Sequence, residues 1–401
     1  MKPVTLRLLP MLGLIAATGL AAAPAQAAGY KTDGLCEGFP KVQISAPAGF
    51  CVGLVADERQ GLKFPRRMLQ VAPSRFWLVD MGGWDANRGR LLELAIAPGA
   101  VKVTVLASKL DRPHGLAIGP DGKAYIGEAT RIWRSATSRL APETVISGLP
   151  GDGAHPLKEL AFGSGGRLYI NVGSFSDACR NDAQKQPAPC PETAGPKPRA
   201  AVYEAVLAGP DWHLTSLKPF ATGLRNSLAL TVCRPPGKPD VVLQGENAID
   251  YPQADTPQEE FNILKAGAHY GWPYCIENQQ AARGYEKRFD CKATVAPALL
   301  WPAHSAPLQM LVAPAGLPQP WAGKLIVAWH GYRPVGQRVM AFPVDTTGKI
   351  TGKGTQILGN WAAKPGIRPL GAPTGLTLDT GGRLFVLEDR NHTLLLLGRD
   401  K

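Results

Sequence analysis

The chain has 401 residues, 45% of them apolar, with 45 glycines, 37 prolines and a formal charge of +12. This composition excludes a disordered chain and long helical bundles, and it accommodates one large all-β domain or two ordinary ones. The basic balance admits an anionic surface or a focused anionic-ligand pocket; with no run of five basic residues and no aromatic-basic ladder, nucleic acid is not an expected partner.

The N-terminus reads as an export signal. Lys2 and Arg7 form its charged end, Leu8 to Ala23 its apolar stretch, and Ala25-Gln26-Ala27 a small-x-small cleavage site. A signal peptide is expected over 1–27, with mature chain from about Ala28, in the periplasm or secreted; an uncleaved anchor is the alternative. No later stretch approaches the roughly 20 apolar residues of a membrane span, so none is expected in the mature chain. The seven cysteines suit an oxidising compartment. Their local spacing pairs Cys36 with Cys51, Cys179 with Cys190 and Cys275 with Cys291, leaving Cys233 free and buried. Each pair closes a short loop, worth about 3 kcal/mol in the chain-entropy model.

From residue 40 the pattern is strand after strand. Phe50-Cys51-Val52-Gly53-Leu54-Val55 is the first candidate. A two-strand unit then recurs, built of apolar alternation, a turn and a second alternating run. Its copies begin near 68, 115, 160, 227, 308 and 375. The third is the clearest: Leu160-Ala161-Phe162, a turn at Gly163-Ser164-Gly165-Gly166, then Leu168-Tyr169-Ile170. The fourth, from Ser227 to Gln244, is degenerate. Six small antiparallel sheets, none able to bury its faces alone, predict an all-β, six-bladed β-propeller over residues 28–401, with its core at about 40–398. A pair of β-sandwiches is the alternative. Inserts at about 175–200, 245–300 and 329–370 are expected at one mouth, where loops on a rigid scaffold build sites.

Signatures of serine hydrolases, zincins, nucleotide-binding loops and dinucleotide folds are absent. Polar residues instead flank the repeated strands. His155 precedes copy three, in a glycine-bearing loop suited to proton transfer near neutral pH. Arg225-Asn226 precede copy four, and Glu246-Asn247-Ala248-Ile249-Asp250 follow it. His330-Gly331-Tyr332-Arg333 follow copy five, and Arg368 precedes copy six. In a propeller these positions converge on one mouth. Arginine and histidine there suit a polyanion, and the oxygens of 244–260 suit a hard cation such as calcium.

These residues carry a resemblance. The chain from about 105 to 390 resembles the glucose/sorbosone dehydrogenase family, soluble sugar dehydrogenases that use pyrroloquinoline quinone, and is most similar to the sorbosone dehydrogenase branch. The matching pieces are His155-x-x-x-x-Leu160 through Gly173-Ser174, Gly223-Leu224-Arg225-Asn226, Glu259-Glu260-Phe261-Asn262, Tyr270-Gly271-Trp272-Pro273-Tyr274-Cys275, Trp301 to Pro307, and His330-Gly331. The resemblance implies a quinoprotein oxidising an aldose or related sugar by hydride transfer, with pyrroloquinoline quinone and calcium as cofactors. It implies a sugar substrate and a downstream electron acceptor, a cytochrome or the quinone pool. It makes His155 the general base, and Arg225, Asn226, His330, Arg333 and Arg368 cofactor-binding residues. Backbone carbonyls of Asn247, Ala248 and Ile249 would hold the calcium. The chain departs from the family at three places. Glu246 to Asp250 stands where many members read Asp-Asn-Gly-Arg-Asp. Ser174 replaces an aspartate that orients the base, and the segment at 330–333 is shortened. A propeller that has lost the cofactor and binds carbohydrate or protein is the alternative from another class; a metal-dependent lactonase-type propeller is a third. His114, at the comparable point of copy two, is expected to be structural.

Overall fold

In the computed structural model, the described residues are 30–180, 183, 185–317, 319–361 and 371–400. The export signal at 1–27 and Arg368 lie outside them. The architecture is a six-bladed β-propeller of antiparallel sheets. All six repeated units are the two inner strands of successive blades. The innermost strands are Pro65–Ala72, Leu116–Ile118, Leu160–Phe162, Ala229–Cys233, Pro307–Val312 and Pro373–Leu378. Each packs beside the next in ring order, and the sixth packs beside the first.

The ring is closed by strand exchange between the chain ends. Phe50–Ala56 pairs antiparallel with Thr393–Arg399, so the N-terminal segment supplies the outer strand of blade six. Beyond it, Phe39–Val42 and Thr32–Cys36 extend that sheet, and the Cys36–Cys51 disulfide ties the extension to the exchanged strand.

The apolar side chains form one core between each pair of neighbouring blades. The run Leu394-Leu395-Leu396-Leu397 shows how a strand serves two of them. Leu395 and Leu397 pack with Ile326 and Val339 of blade five, while Leu394 and Leu396 pack with Phe76 and Leu92 of blade one. Period-two alternation sends neighbours to opposite faces, and both faces are covered. Continuous apolar runs in this chain therefore mark strands buried on both sides.

The three disulfides pair as their spacing predicts, and Cys233 is free and buried. Two expected inserts need correction. The stretch 245–300 contains Glu259–Leu264, the third strand of blade four. The stretch 329–370 contains Arg338–Pro343 and Thr355–Leu358, which complete blade five. These outer strands lack the glycine turn of the inner pair, so the repeat conceals them. Among the described residues, no helix is long and apolar enough to cross a membrane.

Candidate functional site

Two polar assemblies sit at the end of the propeller where the inner strands begin. The lower one closes the axis. Arg67 of blade one is 1% exposed and its guanidinium reaches four other blades. It pairs with Glu159 of blade three and donates to the carbonyls of Leu228, Leu308 and Thr374 from blades four, five and six. Blade two contributes His114, fully buried, whose Nδ1 accepts from Arg66 Nε at 3.1 Å. Its Nε2 lies 3.3 Å from Glu159 but is not aligned for a hydrogen bond. Burial, then Arg67, Arg66 and Lys158, push the His114 pKa well below its usual value, so the ring is neutral. The contacts of His114 are with Arg66 and the hub carboxyl Glu159.

Above this hub lie two connected spaces. A cleft of about 500 Å³ is lined by Arg225, Asn226, Asn247, Ala248, Asp250 and Arg333, among others. An inner chamber of about 130 Å³ is lined by Arg66, Asp389, Leu157, Leu228 and Leu308. Trp84, His155, Asn226, His330 and Tyr332 line both. The sequence-derived residues His155, Arg225, Asn226, His330, Arg333, Asn247 and Ala248 therefore come together at one mouth, from blades three, four and five. A larger space of about 640 Å³ lies at the far end of the axis, lined mainly by aliphatic groups of the inner strands such as Leu69, Leu116 and Leu376. Among the described residues its polar lining, with Gln70, Glu159, Gln309 and Asp379, includes no arginine or histidine.

His155 is anchored from one side. Its Nδ1 lies 3.0 Å from the Ser174 carbonyl and 2.9 Å from Ser174 Oγ. A carbonyl accepts and cannot donate, so Nδ1 carries the proton and Nε2 holds the free lone pair. Ser174 Oγ in turn donates to the Ser176 carbonyl at 2.7 Å. Ser174, read in the sequence as a departure from the family's pattern, thus fixes the His155 ring through both its carbonyl and its hydroxyl. Burial, and next the positive Arg225, pull the His155 pKa down to about 3. The ring is a neutral acceptor facing the cleft. Gly173 makes this placement possible, because a Cβ there would stand 2.5 Å from the His155 Cβ.

Arg225 is buried and already engaged. It donates to the carbonyls of Asn247 at 2.9 Å and Asp177 at 3.2 Å, and pairs with the carboxylates of Asp177 and Asp250. Asp177 is held in turn by Trp272, whose indole N–H donates to its carbonyl. Trp272 belongs to a small apolar cluster joining the inserts of blades three and four and both of their disulfides. The inserts thus buttress the residue that positions Arg225. Arg333 differs: it donates to the carbonyls of Pro252 and Gln253 and, among the described residues, pairs with no carboxylate. Its guanidinium is therefore bonded to carbonyls alone, whereas that of Arg225 faces two carboxylates.

Of the three carbonyls expected to hold calcium, Asn247 accepts from Arg225 and Ile249 accepts from the Tyr251 N–H. Ile249 is buried and does not line the cleft. Ala248 does line it, together with the carboxyls of Asp250 and Glu259. Glu259 is buried, which raises its pKa to about 8, although each oxygen accepts a backbone N–H.

Four site residues were not singled out in the sequence: Arg66, Trp84, Asp177 and Asp389. Asp389 accepts from His330 Nε2 at 3.0 Å and pairs with Arg66. Burial would raise its pKa, but His330, Arg66 and Arg390 outweigh burial and hold it below the usual carboxylate value. Arg66 stands before copy one as Arg225 stands before copy four, and Asp389 follows copy six as His330 follows copy five. The positional rule that found His155 covers both. Trp84 and Asp177, in longer loops, carry no such signal.

No family model matches the chain and no curated protein matches it. Solved structures do. One titled as Trichoderma reesei Carbohydrate-Active Enzymes Family AA12 is 20% identical, covers 92% of this chain and 100% of its own, and superposes with a TM-score of 0.69. The holo form of the pyranose dehydrogenase PQQ domain from Coprinopsis cinerea is 19% identical, over 91% of this chain and 99% of that one, with a TM-score of 0.68. The soluble aldose sugar dehydrogenase of Escherichia coli, in its apo form, is 18% identical over 87% and 99%, with a TM-score of 0.55. The family resemblance read in the sequence is therefore met in three dimensions: this chain has the fold of solved sugar dehydrogenases along nearly its whole length.

Proposed function

We propose that the chain is an exported sugar dehydrogenase that oxidises an aldose with pyrroloquinoline quinone as the hydride acceptor. The observation that carries the reading is His155, a neutral base with Nδ1 tied to Ser174 and Nε2 open to a cleft bordered by arginines. The cleft is large enough for the cofactor, and Arg333 brings to it a guanidinium bonded to carbonyls alone. Arg225, Arg333 and Asn226 are the residues that would hold its carboxylates and carbonyls, with the aromatic Trp84 and Tyr332 on the same walls. When bound, the quinone supplies the two-electron acceptor. His155 takes the sugar hydroxyl proton at Nε2 as hydride leaves the same carbon, and the imidazolium is then stabilised by its Ser174 partners. Calcium is assigned to the Ala248 carbonyl with the carboxylates of Asp250 and Glu259, an all-oxygen set suited to a hard cation. Likeness of fold to solved sugar dehydrogenases supports the reading. Three disulfides support folding in an oxidising compartment.

A second reading, a propeller that binds carbohydrate without quinone, is favoured by one observation: the Arg225 guanidinium is already matched by Asp177, Asp250 and a carbonyl. One experiment separates the two. Purified protein is titrated with quinone and calcium, then assayed for dye reduction across a panel of aldoses. Quinone uptake with aldose-dependent reduction supports the dehydrogenase, and no uptake at any calcium concentration refutes it.

A further inference from the structure

The space at the far end of the axis is a blind well. The hub closes its inner end, since Glu159 both pairs with Arg67 and lines the well. All six blades contribute to its wall from their inner strands. At about 640 Å³ it lies within the roughly 300–1,000 Å³ of small-molecule sites. Leu69, Val232, Leu311, Val312 and Leu378 line it and are only half-buried, so apolar surface faces whatever fills it. Its two carboxylates are already matched. Glu159 has Arg67, and Asp379 has the Arg383 guanidinium and the backbone N–H groups of Gly381 and Arg383.

Two amides interrupt the apolar wall. Gln309 of blade five and Gln70 of blade one flank the inner strand of blade six, and each accepts a backbone N–H from that blade through its Oε1. Gln309 accepts from Leu376, and Gln70 accepts from Thr380 at 2.9 Å. An N–H needs an acceptor, so these bonds fix which end of each amide is oxygen. Both Nε2 groups are left without a hydrogen-bond partner among the described residues. One donor is deep, because the neighbouring Leu308 gives its carbonyl to the hub arginine. The other is near the rim, where Thr380 is exposed. From Leu376 to Thr380 the chain spans up to about 13 Å when extended.

We infer that the well binds an elongated, uncharged aliphatic molecule with a carbonyl oxygen near each end, one bonded by Gln309 and the other by Gln70. A charged ligand would lose its hydration there without gaining a counter-charge. An apolar body, in contrast, releases water from the leucine and valine walls. The hub separates this well from the cleft, so the inference stands apart from the chemistry assigned to the upper mouth.

The test uses dimethyl sebacate, a neutral diester with a ten-carbon backbone, as the probe. Methyl decanoate, which lacks one of the two carbonyls, and the sebacate dianion serve as comparisons. Binding to the intact protein is measured at pH 7 by ligand-observed NMR and titration calorimetry. The diester is expected to bind, and the monoester to bind about threefold to tenfold more weakly, the worth of one neutral hydrogen bond. The dianion should bind at least about a hundredfold more weakly than the diester. Gln309→Glu and Gln70→Glu each keep an acceptor for the blade-six N–H and remove the free donor. Each should lower diester affinity at least to that of the monoester. Val232→Trp and Leu311→Trp fill the well from blades four and five, and each should abolish diester binding, so one suffices if the other does not fold. The inference is overturned if wild type binds no diester or binds the dianion as tightly. It is equally overturned if both glutamate variants, or a folded filled variant, bind the diester as wild type does.

Discussion

Replacing Arg67 with methionine tests whether the axial hub holds the six blades together. The side chain is 1% exposed and its partner Glu159 is 3% exposed. Removing one member of such a buried pair costs about 3–5 kcal/mol, because the other is left uncompensated. The carbonyls of Leu228, Leu308 and Thr374 also lose their donor, at on the order of 1 kcal/mol each. The expected loss is about 6–8 kcal/mol, a large share of the roughly 5–15 kcal/mol that domains possess. For a chain of this size it corresponds to a melting temperature lower by about 5–10 °C. The loss also depends on pH. Burial already raises the Glu159 pKa, and without Arg67 it rises further. A carboxyl with a raised folded pKa contributes stability that is complete below its unfolded pKa, near 4.5, and is lost as pH rises through the folded one. Arg67→Met should therefore be least impaired at pH 4–5, and adding Glu159→Gln should restore part of the loss at pH 7. Urea unfolding followed by tryptophan fluorescence, with calorimetry, measures all of this. A loss below about 1 kcal/mol, or costs of Arg67→Met and Glu159→Gln that simply add in the double variant, would refute the hub.

The remaining predictions concern single groups. His155→Ala should slow single-turnover quinone reduction by roughly 10²–10⁴-fold while quinone binding persists, and a wild-type rate would remove His155 as the base. In the quinone-free protein, nitrogen-15 NMR should show His155 as the Nδ1–H tautomer and uncharged from pH 5 to 8, as its pKa near 3 requires. Lys158 is fully buried, donates to the Pro156 carbonyl at 2.6 Å, and has its pKa lowered to about 7 by burial first. A lowered lysine pKa means that stability rises with pH between about 7 and 10.5 and is lost on falling through 7. Lys158→Met should thus stabilise the protein by a few kcal/mol at pH 6 and by little at pH 10.5; the same gain at both would refute the assignment. Under denaturing, non-reducing conditions one thiol, Cys233, should be alkylated; two or more would overturn the disulfide pattern.

Much of the scaffold is legible in the sequence because its inner strands repeat a local signal. Leu160 to Ile170 alternates, turns at glycine and alternates again, and each copy carries enough of that pattern to be counted. The outer strands are less legible. Thr355–Leu358 and Leu299–Trp301 are short, and the partner of Leu299–Trp301, Glu259–Leu264, lies about forty residues back, so that pairing is decided by the sheet already formed. In the site, position relative to a repeated strand found His155, Arg225 and His330. It was silent about partners. Nothing local to Arg225 says that Asp177, 48 residues away, will hold it, nor that Asn247 and Ile249 will spend their carbonyls on Arg225 and Tyr251. Hydrogen-bond bookkeeping is a long-range property, and period and spacing do not encode it.

That bookkeeping separates structural from functional polar groups at this mouth. Arg66, Arg67 and Arg225 are all buried arginines near the axis, so residue type and burial do not distinguish their roles. Their partners do. Arg67 spends its guanidinium on one carboxylate and four carbonyls, and the spaces above and below it are separated by that closure. Burying a cation this completely is tolerable because it is matched, and a matched group has nothing left to offer a ligand. At the mouth the accounts are left open. His155 keeps the Nε2 lone pair, and Arg333 meets carbonyls in place of carboxylates. Each open group costs stability in the empty protein and recovers it when a complementary ligand arrives. The same inner strands carry both sets, so the rigidity the hub gives to the blades is passed directly to the spacing of the groups that await a ligand.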